Sequence, residues 1–492
     1  MTPPTCYQAV IIGSGFSGIC NAVKLLESGI RNICVLEKAQ EVGGTWRENT
    51  YPGAACDVQS HLYSFSFAGN NDWSHVFSPW HEILEYIKSV REKYNLEPYI
   101  KYDQKLVQAE FDEKQGLWQL TMADGSILHA QSLIMGTGPL HVPSIPNIPG
   151  LENFKGKVFH SAQWDHDVDF SGKKVVSIGT GGSAIQYVPE VAKTAKALTV
   201  FQRTPAWVLP RNERAYSKLE KTLFKVVPGW RRLYRTFLYW KNEARVFPMH
   251  YPILIKLGEL GARLHLRMGV KDPEVRRKLT PDYTIGCKRI LISNQYYPAF
   301  NRDNVELNTD GIKNITENSV IDGNGVAHDA DVIILGTGFV ADPSVYMKDL
   351  PVIGLGGKKL SDVWQDGAES FYGLSVSGFP NFFQMTGPNT GLGHNSMVFI
   401  IEAQTRYVVD ALKKLELSNS KYMDLKLDKQ NSFNQKIQRQ LNGTVWQTGC
   451  SSWYKREDGK NFTIWPNTTF RYYFETKKLT IKITNGRQRA RD

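Results

Sequence analysis

Two segments of this chain repeat one design, in which an apolar strand runs into a glycine turn that opens a helical pattern. The first is QAVIIGSGFSGICNAVKLLESGIRNICVLEK, with Gly13, Gly15 and Gly18 in the turn and Phe16 and Ser17 between them. The second is KKVVSIGTGGSAIQYVPEVAKTAKALTVFQR, with Gly179, Gly181 and Gly182 followed by Ser183 and Ala184. Strands that feed helices in this way commit a chain to parallel sheets covered by helices. The expected fold is therefore α/β, with two nested Rossmann-like dinucleotide-binding domains and a helical insertion.

In such a turn the missing side chains let the backbone approach a pyrophosphate, which sits among unpaired N–H groups at the helix N-terminus. The residue closing the second strand then reads the adenosine ribose. Glu37 and Arg203 stand there, each 24 residues beyond the first glycine of its turn. A carboxylate accepts hydrogen bonds from both ribose hydroxyls, which fits FAD or NAD, whereas arginine can clamp a 2′-phosphate, which fits NADP. FAD in the first unit and NADPH in the second is the resulting expectation. Ala184 occupies the third-glycine position of the second turn, where the demand is close helix–strand packing.

Alternating stretches around the turn signals 114–116 and 123–126 predict an antiparallel excursion from Leu106 to Leu133. It returns through LIMGTG, Leu133 to Gly138, and a similar DVIILGTGF runs from Asp331 to Phe339. The paired strand-GTG segments read as crossings between nested domains, and the Pro-rich stretch 141–150 reads as a linker. The expected boundaries are 1–140 and 340–492 for the FAD-binding domain, 150–210 and 281–339 for the NADP-binding domain, and 211–280 for a basic helical insertion.

A chain of 492 residues can bury two or three cores without staples. Its six cysteines show no CxxC and no metal-ligand spacing, so they read as buried thiols in a reducing compartment, with no metal site. The first strand, expected from about Gln8, leaves no room for a signal peptide, and no apolar run approaches ~20 residues, so the expected location is cytoplasmic. The net charge of +11 does not imply nucleic acid, because residues 211–278 hold 17 Lys and Arg against 6 Asp and Glu, an excess equal to the whole imbalance. This aromatic-rich segment has two readings: a weak contact with an anionic membrane surface or an electrostatic funnel, or a solvated cationic face over a core stripe.

Paired FAD and NADPH sites serve either thiol reductases or oxygenases, and the missing CxxC argues against the first. The chain then resembles the class B flavoprotein monooxygenases, and among them the Baeyer-Villiger monooxygenases, over nearly its whole length. The fingerprint FxGxxxHxxxW appears as Phe154, Gly156, His160 and Trp164, followed by Asp165 where many members have Pro. Trp164 favours the ketone-oxidising branch over N- and S-oxygenating relatives, and His160 is expected to be structural. The segment from Gly43 to Phe67 is similar to the family's flavin-binding stretch. It implies Gly44, Thr45 and Trp46 along FAD, and Asp57 and Tyr63 beside the flavin; Val107 is counted with the cofactor residues.

The stretch from Cys287 to Leu307 implies that Lys288 joins Arg203 and Thr204 on the NADP phosphate and that Arg289 is the active-site arginine, held by Asp57. In the family's chemistry reduced flavin adds dioxygen to form a peroxyflavin that attacks a ketone, and a fixed guanidinium stabilises the anion. The product is an ester or lactone. Met397 and Trp453 resemble residues that return to the flavin and close over nicotinamide and substrate, with core packing as the plain alternative. Two rival functions remain at this stage: an N- or S-oxygenating flavin monooxygenase, and a membrane-surface binding protein with a degenerate flavin fold.

Overall fold

The computed structural model describes residues 6–418, 420–477 and 482–484. The end of the 340–492 expectation, beyond 484, lies outside them. Strand β1 (Cys6–Ile12) leads into helix α1 (Phe16–Glu27) and then strand β2 (Ile33–Leu36), which lies parallel to β1. On the other side of β1 lies the parallel strand β3 (Ile127–Met135), reached through antiparallel strands Leu106–Asp112 and Leu117–Met122. The excursion read from the turn signals is therefore this meander. The short strand Ile100–Lys101 beside β2 and two strands from beyond residue 351, Val352–Ile353 and Phe382–Gln384, complete the eight-stranded sheet.

The pleat explains why β1 is a continuous apolar run. Ala9 and Ile11 enter one core with α1 and the long helix Met397–Ser418, while Val10 and Ile12 enter another beneath the meander. Both faces of its second half, Ala9 to Ile12, are covered, so neither admits polar residues there.

The second unit repeats the pattern with β4 (Lys174–Ile178), helix α2 (Ala184–Thr194) and β5 (Ala197–Phe201). Its sheet is wholly parallel, and β6 (Val332–Leu335) and the fingerprint strand Lys157–His160 continue it beyond β4. All strands of this sheet fall between residues 157 and 335, inside the interval that interrupts the first sheet. At the crossings, Ser144 N–H donates to Gly338 O at 2.9 Å and Val340 N–H to Val142 O at 2.9 Å, so the two passages run side by side.

The GTG repeats have a physical reason. The end of each GTG strand lies backbone to backbone against a glycine turn: a Cβ on Gly13 would stand 3.0 Å from Gly136 O, and one on Gly179 would collide with Gly336 O. At Gly18 a Cβ would run into Gly13 O, whereas Ala184 fits because it packs on Gly336, which has no side chain. That is why the second turn tolerates alanine and the first does not.

The cysteine expectation needs correction. Cys20, Cys34 and Cys56 are buried thiols, but Cys6 is exposed, and Cys287 and Cys450 form a disulfide with Cα atoms 6.3 Å apart. A separation of 163 residues carries no signal in sequence, since only the fold brings the two together.

The fingerprint proves to be a joint. His160 is buried, accepts a hydrogen bond from Ala162 N–H through Nδ1, and meets the Phe339 ring edge-on at the crossing. Trp164 packs on Phe159, Phe170 and Tyr187, and it reaches Tyr51 of the first domain at 6.4 Å. Truncating so large a buried ring leaves a cavity at a domain contact. Trp164→Ala is expected to cost about 3–5 kcal/mol in urea unfolding followed by tryptophan fluorescence and circular dichroism.

Candidate active site and nucleotide clefts

Both nucleotide turns present open helix ends. Neither α1 nor α2 has a side-chain cap or an acid in its first turn, so their first N–H groups stay available to an anion. Some other helices are capped, as Ser217 with Glu220 and Asp272 with Glu274 N–H show. Trp80–Lys93 and Leu427–Leu441 are uncapped as well, so it is the glycine turn before the open end that marks α1 and α2. In the first cleft Gly44, at φ 54°, lies against Gly15, where a Cβ would stand 3.1 Å from the Gly15 Cα. This cradle is what a pyrophosphate needs. Phe16, Trp46 and Tyr63 form an aromatic wall beyond it, with ring centroids 5.1 and 5.7 Å apart and Trp46 Nε1–H donating to the Tyr63 hydroxyl. Thr45 opens the short helix that carries Trp46, and Ser17 is buried in the first turn of α1.

Glu37 is buried at the end of β2. One oxygen accepts from Ser14 N–H at 2.8 Å and Ser14 Oγ–H at 2.7 Å, and the other lies 3.2 Å from Arg47. Val107 sits at a register shift in the meander, where the ladder leaves a residue unpaired.

The second cleft corrects the equal-offset argument. Gly13 N–H donates to Leu36 O and Gly179 N–H to Phe201 O, so the counterpart of Glu37 is Gln202, and Arg203 lies one residue further on. Glu37 and Gln202 even make matching backbone bonds, to Lys101 O and Asn308 O. The buried neutral amide takes the place of a carboxylate that would repel a phosphate, and Arg203 stands exposed beside it. Thr180 Oγ–H donates to Thr204 O at 3.3 Å, which ties the glycine turn to this corner.

Lys288 shares the corner, with its Nζ 4.7 Å from the centre of the Tyr283 ring. Burial and then the charge of Arg203 push its pKa below the ordinary lysine value. Among the described residues neither cation is ion-paired. Two unneutralised cations at the mouth of a dinucleotide turn fit a 2′-phosphate, which would relieve their repulsion.

Between the clefts Arg289 donates to Asp57 at 2.5 Å, bringing together side chains from the two halves of the molecule. They remain 44% and 33% exposed, so the pair lines an accessible cleft rather than a sealed core. Burial opposes the Asp57 charge, but Arg289 outweighs it and holds the carboxyl below its usual range. Asp57 in turn raises the Arg289 pKa. Arg211 and Arg245 also feel this carboxylate. Tyr454, buried and neutral, is within electrostatic reach of Arg289, and its neighbour Trp453 is exposed with its ring 4.7 Å away. Met397 is half-buried at the start of its helix, against the core that contains Cys287 and Tyr454.

Sequence reasoning missed several residues. Gln186 of α2 accepts from the Tyr51 hydroxyl at 3.0 Å and donates to Ala55 O at 2.9 Å, fixing the loop that ends at Asp57. Ser14, Arg47, Gln202 and Tyr454 were also passed over. Gln202 could have been found by counting from the strand rather than from the glycine.

The flavin-binding monooxygenase-like family model matches residues 7–225. Over 475 residues the chain is 45% identical to a Baeyer-Villiger monooxygenase of Pseudomonas aeruginosa, covering 96% of this chain and 90% of the relative. Among solved structures it resembles cyclohexanone monooxygenase from Rhodococcus sp. Phi1 bound to NADP+, with a TM-score of 0.89 at 26% identity, covering 98% of this chain and 100% of the other. It also resembles OTEMO in complex with FAD and NADP, with a TM-score of 0.87 at 26% identity and coverage of 97% and 98%.

Removing either cation of the second cleft is expected to raise KM for NADPH by about 10–100-fold with kcat nearly unchanged, measured in Arg203→Ala and Lys288→Ala. The KM for NADH should move little. Since the Lys288 pKa is lowered, its charge is lost as pH rises, and earlier than for an ordinary lysine. KM for NADPH should therefore climb below the usual lysine range in the wild type, and Lys288→Arg should remove that alkaline limb.

Proposed function

The chain belongs to the Baeyer-Villiger branch of the flavin-binding monooxygenases, and on that premise we propose that Asp57 and Arg289 form its catalytic centre. The reaction consumes NADPH, a proton, dioxygen and a ketone, and yields NADP+, water and an ester or lactone with one oxygen inserted beside the carbonyl. Bound FAD supplies reduction by NADPH and the activation of dioxygen. The uncapped α1 terminus, the Gly15–Gly44 cradle and Glu37 would hold it, and the Arg203, Thr204 and Lys288 corner would hold NADPH.

The observation that carries the assignment is the Asp57–Arg289 contact itself, an always-charged guanidinium fixed in an accessible cleft between two nucleotide turns. Its remaining N–H groups can donate to an oxygen that gains negative charge as the ketone is attacked. Asp57 orients the guanidinium and offsets part of its charge, so that the site keeps a directed donor rather than a free cation. Gln186 and Trp164 are positioning residues that hold the 51–57 loop in register with the nucleotide helix. Buried Tyr454 and exposed Trp453 lie on the segment that would exclude water above the pair.

Arg289→Ala is expected to lower kcat for ketone oxygenation by about 10²–10³-fold or more while KM for NADPH stays within a few-fold, assayed by ester or lactone formation. Retention of ketone oxygenation in that variant would refute the assignment. Arg289→Lys should recover little, because a lysine lacks the planar fork. For Asp57 the sign of the shift places the loss at acid pH. Its folded pKa is depressed, so the pair persists from neutral pH down through the ordinary carboxylate range and fails below it.

A further inference from the structure

Two helices of the 211–278 segment, separated by the short helix Val246–His250, each expose an apolar stripe besides the one they bury. Helix α3 (Trp230–Glu243) turns Trp230, Leu233, Phe237 and Trp240 outward, each 40–61% exposed, at spacings of three and four residues. Helix α4 (Pro252–Gly269) does the same with Leu254, Leu257, Leu260, Leu264 and Met268, each 41–71% exposed. The first stripe is continued by Phe470, whose ring lies 5.8 Å from Trp240, and by Phe474 at 4.5 Å from Phe470. Exposed apolar stripes of this length are uncommon on a monomer unless they meet a partner.

The charges beside the stripes decide which partner. On α3 Arg232 and Lys241 are exposed at the two edges of the stripe, and on α4 Lys256, Arg263 and Arg267 line one edge. The two helices contain only two acids: Glu243 is buried, and Glu259 pairs with Arg263. Two such faces from two copies of this chain would bring like charges together, which disfavours a symmetric dimer through them. Aromatic and leucine side chains rimmed by cations instead match the boundary between acyl chains and anionic headgroups. No helix among the described residues is long and apolar enough to cross a membrane, so the contact is one that lies on the surface.

We infer that the outward stripes of α3 and α4 dock on an anionic lipid bilayer, with their leucine and tryptophan side chains inserted at the headgroup level. The core-stripe reading of this segment holds for Leu238, Ile255, Ala262 and Leu266, which are buried, but the opposite face carries a second apolar stripe where only solvated cations were expected. Docking on this face needs no flavin or nicotinamide chemistry, so its success or failure is separate from that of the catalytic assignment.

The test is sedimentation of the full-length flavin-loaded protein with vesicles of phosphatidylcholine alone or mixed with phosphatidylserine. Pelleting with the anionic vesicles at about 0.05 M salt is expected, falling about tenfold or more at about 0.5 M salt and with neutral vesicles. Leu257→Gln with Leu264→Gln, and separately Trp240→Gln, should each weaken binding about tenfold while leaving the unfolding midpoint unchanged. Arg263→Glu with Arg267→Glu reads the charge independently. Absence of binding to anionic vesicles at low salt overturns the inference. So does binding that ignores the apolar substitutions, or lipid-free self-association that those substitutions dissolve.

Discussion

Everything in this molecule is arranged around two places where backbone meets backbone with no side chain between. At Gly13 against Gly136 O, and again at Gly179 against Gly336 O, a strand end presses on a strand-to-helix turn closely enough that a Cβ on the turn glycine would collide or nearly so. That contact fixes the direction of α1 and α2, leaves their N–H groups uncapped, and sets where a pyrophosphate can lie. The GTG crossings are thus structural supports for the nucleotide turns as well as connections between domains.

Because the two turns belong to different sheets, a reaction between their ligands requires the sheets to be locked together. Three contacts do this with different chemistry: the Tyr51–Trp164–Tyr187 aromatic cluster, the Gln186 amide spanning Tyr51 and Ala55, and the Asp57–Arg289 ion pair. The aromatic cluster is buried and the amide contacts are half-buried, while the third faces an accessible cleft. The ion pair proposed as the catalytic centre therefore inherits its geometry from the contacts around it.

Periodic and glycine-based features were legible in the sequence. The parallel units, the antiparallel meander and the nested crossings each leave a local mark, because pleat, turn and close approach act over a few residues. Asp57 and Arg289 could be singled out only through family resemblance, since nothing near either residue in the chain announces a partner 232 positions away. Equal spacing misled by one residue at Gln202, because β2 closes 23 residues after its glycine and β5 closes 22 after its own. For the stripes of α3 and α4 the sequence left two readings open, for another reason. Amphipathic spacing tells which residues share a face, and only the packed neighbours tell which face is turned inward.

The Cys287–Cys450 bridge imposes a limit of reach on the segment above the site. Cys287 stands two residues before Arg289, and Cys450 three before Trp453. Three residues of extended chain span no more than ~10 Å, so while the bridge holds, Trp453 moves on a short leash pinned beside the arginine. On the role proposed for Trp453, a closing movement of this segment would therefore begin within an indole's width or two of its end point.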